Sequence, residues 1–258
     1  MIHAFQAIVL GIVEGITEFL PISSTGHLIL ASKLMNLAET PFVKSFMIII
    51  QLGSILAVVV LYWKKIWSNS DIWKKVIVAF IPTAVIGLIL YKVVKTYLLG
   101  NVMITILALA IGGVVLVFFE RWVKRPVPTE AGSAGLTYMQ SFWVGVFQAI
   151  AIIPGVSRSA ATIVGGQLIG VEKRAMIDFS FILAIPTMLA ATGLDLIKNA
   201  SSFSSDQFGM LSLGFIVSFI VALLAVRTFL SYIQKNSFAA FGIYRILVAI
   251  LFLVLWWR

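Results

Sequence analysis

The sequence of 258 residues has no cysteine, only two histidines and few charged side chains. The absence of cysteine excludes disulfide bonds, thiolate catalysis and cysteine-ligated zinc. Charged residues make up 11% of the chain, which is roughly half of their share in a typical soluble domain. No basic segment precedes the apolar N-terminus, so we expect it to belong to the mature protein and not to a cleaved signal peptide.

Long apolar runs fill the chain instead, and 61% of its residues are hydrophobic. Several runs approach the ~20 residues that are needed to cross the hydrocarbon layer of a membrane. The net charge of +9 comes mainly from the segments between the runs, which suits membrane orientation and contact with anionic lipid better than nucleic-acid binding. The sequence therefore predicts an all-α, polytopic integral membrane protein, a single membrane domain over residues 1–258, with membrane lipid and no nucleic acid as its partners.

Two polar stretches interrupt the apolar pattern, one at residues 14–27 and the other at residues 154–162. Each is predicted to hold a polar turn between a longer and a shorter helix, because Pro21 and Pro154 interrupt helical structure. The predicted helix, turn and short helix cover residues 2–20, 23–27 and 28–37, and later 138–153, 154–159 and up to about 170. Full spans are predicted at about 42–62, 73–91, 101–119, 175–194, 208–229 and 238–257.

The two halves align without gaps at an offset of 134 residues, which places Gly11 on Gly145, Glu14 on Gln148 and Ser23 on Ser157. Together with the shared order of segments, these matches predict an internal repeat. Repeat 1 is expected over about 1–120, a linker over about 121–137 and repeat 2 over about 138–258.

The distribution of lysine and arginine predicts the orientation of the repeats. If the first helix of each half crosses the membrane, the loop cations divide nine to eight between the two sides. If the first two helices of each half form a re-entrant hairpin, the division becomes eleven to six. The positive-inside rule therefore favours an inverted repeat, in which each half is a re-entrant helical hairpin plus three transmembrane helices. Both termini would then lie outside the cytoplasm, and the two polar turns would meet near the membrane midplane.

Glu14 and Glu18 are four residues apart on a predicted helix and so share one face. An ionised group at membrane depth costs ~2.5–3.5 kcal/mol on insertion scales, so an idle pair is not expected. The two carboxylates could hold a divalent cation together with a substrate phosphate, or take a proton from water. The alternative is that one is protonated and only caps a neighbouring hairpin.

The polar turns also carry an arginine, a histidine and several hydroxyl groups. Arg158 offers forked contacts to a phosphate, or a salt bridge to Glu14 or Glu18, and both could occur at different stages. His27 could be a nucleophile towards phosphorus, a general acid or a structural residue. The hydroxyl groups could cap the short helices or bind phosphate at the helix N-termini, and they belong to Ser23, Ser24, Thr25, Ser157 and Ser159.

Other polar residues in or near the spans, among them Asp178 and Arg245, are expected to be structural ion-pair partners or to support the site.

The two motifs resemble those of the bacterial undecaprenyl-diphosphate phosphatase (bacitracin-resistance) family. They are E-x-x-x-E at 14–18 with P-I-S-S-T-G-H at 21–27, and P-G-V-S-R-S-A-A-T at 154–162. The resemblance covers essentially the whole chain. The sequence lacks the K-x-x-x-x-x-x-R-P and S-G-H set of the type 2 phosphatidic acid phosphatases, which share the reaction.

This resemblance implies an enzyme of the bacterial cytoplasmic membrane that converts undecaprenyl diphosphate into the monophosphate carrier lipid of peptidoglycan synthesis. Its active site would open to the outer face, and it would need a divalent cation, Mg²⁺ or Ca²⁺, for which Glu14 and Glu18 are candidate ligands by their spacing. It also implies that Glu18 and His27 are catalytic, that Arg158 grips the diphosphate and that Glu14 assists. The implied phosphate-binding residues are Ser23, Ser24, Thr25, Ser157, Ser159 and Thr162. The oligomeric state stays open, with a homodimer among the expectations.

The alternative function is a flippase or transporter of the lipid carrier that uses the same anion site. Inverted repeats with broken helices at the midplane are typical of transporters. A transporter, however, needs neither a nucleophile nor cation-holding carboxylates, so the set of Glu14, Glu18 and His27 favours chemistry.

Overall fold

The computed structural model describes residues 2–38, 40–98, 101–122, 135–199 and 205–256. Residues 123–134, which form most of the linker predicted at about 121–137, lie outside the described residues, as do residues 257 and 258. The described ranges hold the α-helices α1 (Ala4–Thr17), α2 (Ser24–Leu34), α3 (Pro41–Ser68), α4 (Ser70–Val93), α5 (Val102–Trp122), α6 (Tyr138–Ala149), α7 (Arg158–Leu168), α8 (Lys173–Asn199), α9 (Ser205–Ile233) and α10 (Ala239–Trp256).

Within the described part of the chain, five helices are long and apolar enough to cross a membrane. The qualifying segments are Pro41–Ser68, Ser70–Leu90, Val102–Phe119, Lys173–Ile197 and Gln207–Ile233. Helices α1, α6 and α10 are apolar but shorter. Large apolar side chains are exposed on the long helices, among them Leu88 of α4, Ile111 of α5 and Leu224 of α9. Such exposure is expected where a surface faces lipid. The prediction of a polytopic helical membrane protein is confirmed.

The short helices begin earlier than the sequence pattern predicts. The predicted turn at 23–27 is wrong, because Ser24 and His27 already lie in the first turns of α2. In the second half, α7 begins at Arg158, inside the predicted turn at 154–159. In both places a serine ends the turn as the N-cap of the helix, and most of the polar residues that follow, such as Ser24, His27 and Ser159, are buried. A hydropathy pattern assigns such residues to a loop.

The long helices pack in pairs that cross between the halves of the chain. Helix α1 packs against α9 and α6 packs against α4, while α5 pairs with α10 and α3 with both α8 and α9. Glycines allow the closest of these approaches. A Cβ atom on Gly11 would lie 2.8 Å from the carbonyl oxygen of Gly214, and one on Gly145 would lie 2.7 Å from the carbonyl carbon of Ala79.

Helices α1 and α2 pack side by side and form the first hairpin, with its tip at residues 18–23. Helices α6 and α7 form the second hairpin, with its tip at residues 150–157. Aromatic side chains pack beside the first tip. The rings of Phe19 and Phe181 meet edge to face at 5.1 Å, and Phe181 in turn contacts Tyr62 at 6.0 Å. The fold thus surrounds the two polar tips with apolar side chains.

Candidate active site

The first hairpin tip is built by the end of α1 and a strained serine. The helical geometry continues through Glu18, whose N–H donates to the carbonyl of Glu14 at 3.0 Å, so the two carboxylates keep the predicted spacing of one turn. Ser23 has a φ of +71°, which is unfavourable for a residue with a Cβ atom. Its hydroxyl nevertheless accepts the N–H of Gly26 at 3.5 Å and so caps α2. Strain of this kind is characteristic of functional sites.

The second hairpin tip follows the same plan with different residues. Ser157 caps α7, and its hydroxyl accepts the N–H of Ala160 at 3.3 Å. Gly155 has a φ of +93°, and a Cβ atom there would lie 2.5 Å from the carbonyl oxygen of Thr105 in α5. Only glycine meets both demands, since it has no side chain to clash with α5. The second tip therefore rests directly on α5.

The two tips are in direct contact. The hydroxyl groups of Ser157 and Ser159, in the second hairpin, donate to the carbonyl of Leu20 in the first, at 3.4 and 2.9 Å. Arg245 of α10, which is 1% exposed, donates to Pro21 at 3.2 Å and to Gly155 at 3.0 Å. A single guanidinium thus joins the backbones of both tips. The polar stretches, more than 130 residues apart in sequence, are brought together as predicted.

Arg245 has further carbonyl partners in α5, at Leu109 and Ala108. Arg245 therefore takes one of the two roles expected of it, because it supports the site by donating hydrogen bonds to backbone carbonyls. Asp178 takes the other expected role and pairs with Lys65 at 2.7 Å.

A buried ion pair connects the two hairpins. Arg158 Nη2 lies 3.1 Å from Glu18 Oε1, and Arg158 Nη1 donates to the carbonyl of Ser180 at 3.1 Å. The second oxygen of Glu18 accepts the hydroxyl of Ser24 at 2.5 Å. The guanidinium also lies 5.7 Å from the ring centroid of Phe19. Removing one partner from such a pair leaves a buried charge uncompensated, at a cost of about 3–5 kcal/mol.

Several buried polar atoms around this pair have no hydrogen-bond partner among the described residues. They include both carboxylate oxygens of Glu14, the hydroxyl of Ser54 and Nε of Arg158. Glu14 is fully buried and lies close to Glu18 and Ser54. Native interiors rarely leave such groups unpaired. The arrangement suits a ligand that offers both positive charge to Glu14 and acceptor oxygens to Arg158.

His27 is oriented from both sides of its ring. Its Nδ1 lies 2.8 Å from the carbonyl oxygen of Ser23, which can only accept, so Nδ1 carries a proton. In the neutral ring, Nε2 is then an acceptor for the hydroxyl of Tyr244, at 2.9 Å. The Tyr244 ring stacks on the imidazole with a centroid separation of 5.5 Å. This fixed tautomer leaves Nε2 as the atom that can react.

The remaining predicted residues occupy different positions around the tips. The Thr162 hydroxyl lies 2.6 Å from that of Ser180 and donates to the backbone carbonyl of Arg158 in its own helix, so it contacts the ion pair only indirectly. Thr25 is exposed in the first turn of α2. Ser23 and Ser157 serve as helix caps, and Ser24 bonds to Glu18 within the first hairpin. Ser159, like Ser157, bonds across to the carbonyl of Leu20.

Sequence reasoning missed two residues of this site, Tyr244 and Ser180. Both lie on long apolar helices and reach the hairpins only through tertiary packing. Tyr244 gives no local signal beyond being next to Arg245, which is one of the few charges inside a span. Ser180 contributes mainly its backbone carbonyl, which sequence does not distinguish.

The sequence is similar to known proteins over nearly its whole length. The family model described as "Bacitracin resistance protein BacA" matches residues 7–251. The undecaprenyl-diphosphatase of Aquifex aeolicus (strain VF5) is 50% identical over 248 residues, which are 96% of each chain. The proteins of the same name from Wolinella succinogenes and Methanococcus aeolicus are 48% and 46% identical over 250 and 253 residues, covering 96% and 98% of each chain.

Proposed function

This chain belongs to the bacitracin resistance protein BacA family, and we infer from that membership and from its site that it is an undecaprenyl-diphosphatase. It hydrolyses undecaprenyl diphosphate to undecaprenyl phosphate and inorganic phosphate, and so recycles the carrier lipid for peptidoglycan synthesis. Bacitracin resistance follows from the same activity. The polytopic fold suits a substrate whose long isoprenoid tail stays in the membrane.

The buried pair of Glu18 and Arg158 is the main observation that supports an active site at the hairpin tips. It joins a buried carboxylate from one hairpin to a buried guanidinium from the other, with Glu14 buried beside Glu18. We propose that a bound diphosphate takes the place of Glu18 on Arg158, because the guanidinium offers a forked contact to phosphate oxygens. This exchange would free Glu18 to take a proton from the attacking water, while Arg158 stabilises the charge that develops on the phosphate.

The serines and threonines of the tips would bind or position the phosphates. Ser23, Ser24 and Thr25 lie at the N-terminus of α2, where unpaired N–H groups and the helix dipole favour an anion. Ser157 and Ser159 lie at the corresponding end of α7. Thr162 would act indirectly, because its contact with Ser180 helps to hold the carbonyl that orients Arg158.

A divalent cation, Mg²⁺ or Ca²⁺, fits the environment of Glu14. Both Glu14 oxygens are buried without a hydrogen-bond partner, beside Glu18. Among the described residues no group of three or more histidine or acidic side chains could hold a metal, so Glu14 and Glu18 would be the protein's ligands. Mg²⁺ commonly binds through one or two carboxylates plus substrate phosphates. When bound, the cation would supply positive charge that neutralises the phosphate oxygens.

His27 supports a second route for the chemical step. Its Nε2 could attack the terminal phosphorus, so that the bond to the bridging oxygen breaks and undecaprenyl phosphate leaves; water would then release inorganic phosphate from the phosphohistidine. Alternatively, a protonated His27 could donate a proton to the leaving group. The fixed Nδ1–H supports attack, because it leaves the lone pair of Nε2 unprotonated on the side of Tyr244. Donation to the leaving group would require Nε2 to be protonated first. Phosphate trapped on His27 after rapid quench would favour attack by His27, and its absence would favour water activated by Glu18.

The isoprenoid tail would lie in an apolar groove beside the first tip. A cavity of about 440 Å³ lies between α1, α9 and α10, and Leu20, two residues after Glu18 in the first tip, is part of its lining. Ile16, Leu224 and Phe229 are among the side chains that line it. The position of Leu20 supports this assignment, since its carbonyl is part of the contact between the hairpins.

The packing of the helices supports the inverted repeat. The pair α1–α9 corresponds to α6–α4 when the halves are exchanged, and Gly11 and Gly145, which align at the offset of 134 residues, lie in these two contacts. Gln148, which aligns with Glu14, donates to Thr83 and Thr187 in an analogous buried position. We propose two opposed re-entrant hairpins over about 1–120 and 138–258, in the bacterial cytoplasmic membrane, with the site open to the outer face.

Phosphate release from undecaprenyl diphosphate tests this proposal. The purified protein in detergent should release phosphate, and EDTA should abolish release until Mg²⁺ or Ca²⁺ is restored. Arg158→Ala should lower kcat/KM by about 10²–10³, as expected for loss of a group that stabilises transition-state charge. Arg121→Ala, an exposed arginine at the end of α5, is the matched control and should leave the rate unchanged. A folded wild-type protein that binds the lipid without releasing phosphate would instead indicate the flippase.

A further inference from the structure

A second polar pocket lies away from the hairpin tips, between the C-terminal ends of α3 and α9 and the N-terminal end of α8. Its volume is about 300 Å³. Its polar lining consists of Tyr62, Lys64, Lys65, Arg174, Asp178 and Gln234. None of these residues takes part in the phosphatase site described above.

The pocket has an excess of positive charge. The single carboxylate, Asp178, is fully occupied, since its oxygens accept from Tyr62 Oη at 2.6 Å and from Lys65 Nζ at 2.7 Å. Lys65 is thereby neutralised. Lys64 and Arg174 have no ion-pair partner among the residues that the structure describes. The lining thus keeps two uncompensated cations.

The remaining donors suit a tetrahedral anion. Arg174 can offer two N–H groups to one phosphate, Lys64 a compact charge and Gln234 an amide. Arg174 lies in the first turn of α8, where the helix dipole adds to the positive potential. The pocket also lies at headgroup depth by sequence position, because Trp63 and Trp67, both exposed, flank Lys64 and Lys65 at the end of a span.

We propose that this pocket is a second anion site, which binds a phosphate group from either an anionic phospholipid headgroup or free inorganic phosphate. Basic pockets between transmembrane helices are typical binding sites for anionic headgroups. The rings of Tyr62, Phe181 and Phe19 lie between this pocket and Arg158. The two anion sites are therefore separate, and binding at the second does not depend on the phosphatase reaction.

Lipid binding to the purified protein tests the proposal for a headgroup. Native mass spectrometry would measure the affinity for dioleoyl phosphatidylglycerol and, as a neutral lipid with the same chains, dioleoyl phosphatidylcholine. Phosphatidylglycerol should bind more tightly, and Arg174→Gln should weaken it about tenfold, as expected for loss of one charge-assisted hydrogen bond. Addition of Lys64→Gln to this variant should weaken the binding of phosphatidylglycerol further. Arg227→Gln, an exposed arginine on α9 outside the pocket, is the matched control and should have no effect.

Binding of free phosphate to the second pocket must be measured in a variant whose hairpin site is impaired, because the hairpin site is also expected to bind phosphate. In Arg158→Ala, binding of inorganic phosphate, followed by phosphorus NMR, should persist if the second pocket takes free phosphate, and should be lost when Arg174→Gln is added. Unchanged elution on size exclusion would show that the variants fold. The proposal is overturned if neither phosphatidylglycerol nor phosphate responds to Lys64→Gln and Arg174→Gln. Equally tight binding of phosphatidylcholine would contradict the headgroup as the source, and the proposal would then require the response of inorganic phosphate to Arg174→Gln. Because these are binding measurements, their failure would leave the phosphatase assignment intact.

Discussion

At the residue scale, the two carboxylates of the first hairpin lie one turn apart but have different surroundings. Glu18 has a partner for each oxygen, Arg158 and Ser24. Glu14 is fully buried, and neither of its oxygens has a hydrogen-bond partner among the described residues. This difference supports separate roles, in which Glu18 exchanges partners during the reaction and Glu14 mainly balances the charge of a cation.

Glu14→Gln should therefore change the dependence on cation more than the chemical step. The neutral amide keeps the size of the side chain but removes the charge that attracts Mg²⁺ or Ca²⁺. We expect the cation concentration for half-maximal activity to rise at least about tenfold, the effect of about 1.4 kcal/mol, with part of kcat recovered at high cation. Phosphate release measured over a cation titration would show this.

The control for this substitution is Glu172→Gln, which makes the same change at the N-cap of α8. It should leave the cation titration unchanged. If Glu14→Gln lowers kcat with no shift in the titration, Glu14 does not hold the cation.

Loss of the hydrogen bond between Tyr244 and His27 should have a small effect on kcat. Tyr244→Phe keeps the stacked ring and removes only the hydroxyl that Nε2 accepts. Loss of one hydrogen bond of about 0.5–1.5 kcal/mol corresponds to a rate reduction of roughly 2–12-fold. We expect this reduction in kcat with little change in KM, from steady-state kinetics.

Tyr138→Phe is the matched control, because it also removes a hydrogen-bonded tyrosine hydroxyl, which donates to Asp71 at 2.6 Å. Tyr138 lies at the start of α6, at the opposite end of that helix from the second hairpin tip. It should not change kcat. Equal effects of Tyr138→Phe and Tyr244→Phe would argue against a role of Tyr244 in orienting His27.

At the element scale, close helix contacts place the hairpins. Gly145 of α6 faces α4 so closely that a Cβ atom would lie 2.7 Å from both the Ala79 carbonyl carbon and Pro82 Cγ. Gly193 of α8 has nothing within 4 Å of the same position. The two glycines therefore differ in packing while both lie within helices.

Gly145→Ala should destabilise the protein by about 1–3 kcal/mol, because an extra methyl group overpacks the contact. Gly193→Ala should be neutral or stabilising by up to about 1 kcal/mol, since alanine favours the helix and meets no obstacle. Thermal unfolding in detergent would measure both. A Gly145→Ala variant as stable as Gly193→Ala would contradict the packing of α6 on α4.

The sequence allowed prediction of the elements better than of their ends. Apolar runs are sufficient to locate the spans, because length and hydropathy determine which segments can cross a membrane. The apolar pattern predicts that α2 begins at Leu28, whereas the helix begins at Ser24, because its first polar residues, such as His27, are buried against protein. The motifs were enough to name Glu18 and Arg158, but not Tyr244, whose contact with His27 spans 217 residues and exists only through packing.

At the scale of the whole molecule, the orientation that we propose in the membrane rests on the loop charges and on the proposed re-entrant hairpins. Reporter fusions should place both termini outside the cytoplasm and the loop between α3 and α4, which holds Asn69, inside it. This pattern requires an odd number of crossings in each half. A cytoplasmic N-terminus would contradict the inverted repeat. The expected homodimer likewise stays a prediction, which the mass of the detergent-solubilised protein would test.

The central claim is that the two hairpins form one phosphatase site. A double-mutant cycle between Glu18→Gln and Arg158→Gln, with kcat/KM for undecaprenyl diphosphate as the readout, tests it most directly. Residues that act as a unit show strongly non-additive losses. We therefore predict that kcat/KM of the double variant is about equal to that of the less active single variant, or higher. Losses that multiply, so that each substitution acts independently of the other, would contradict a single site formed by both hairpins.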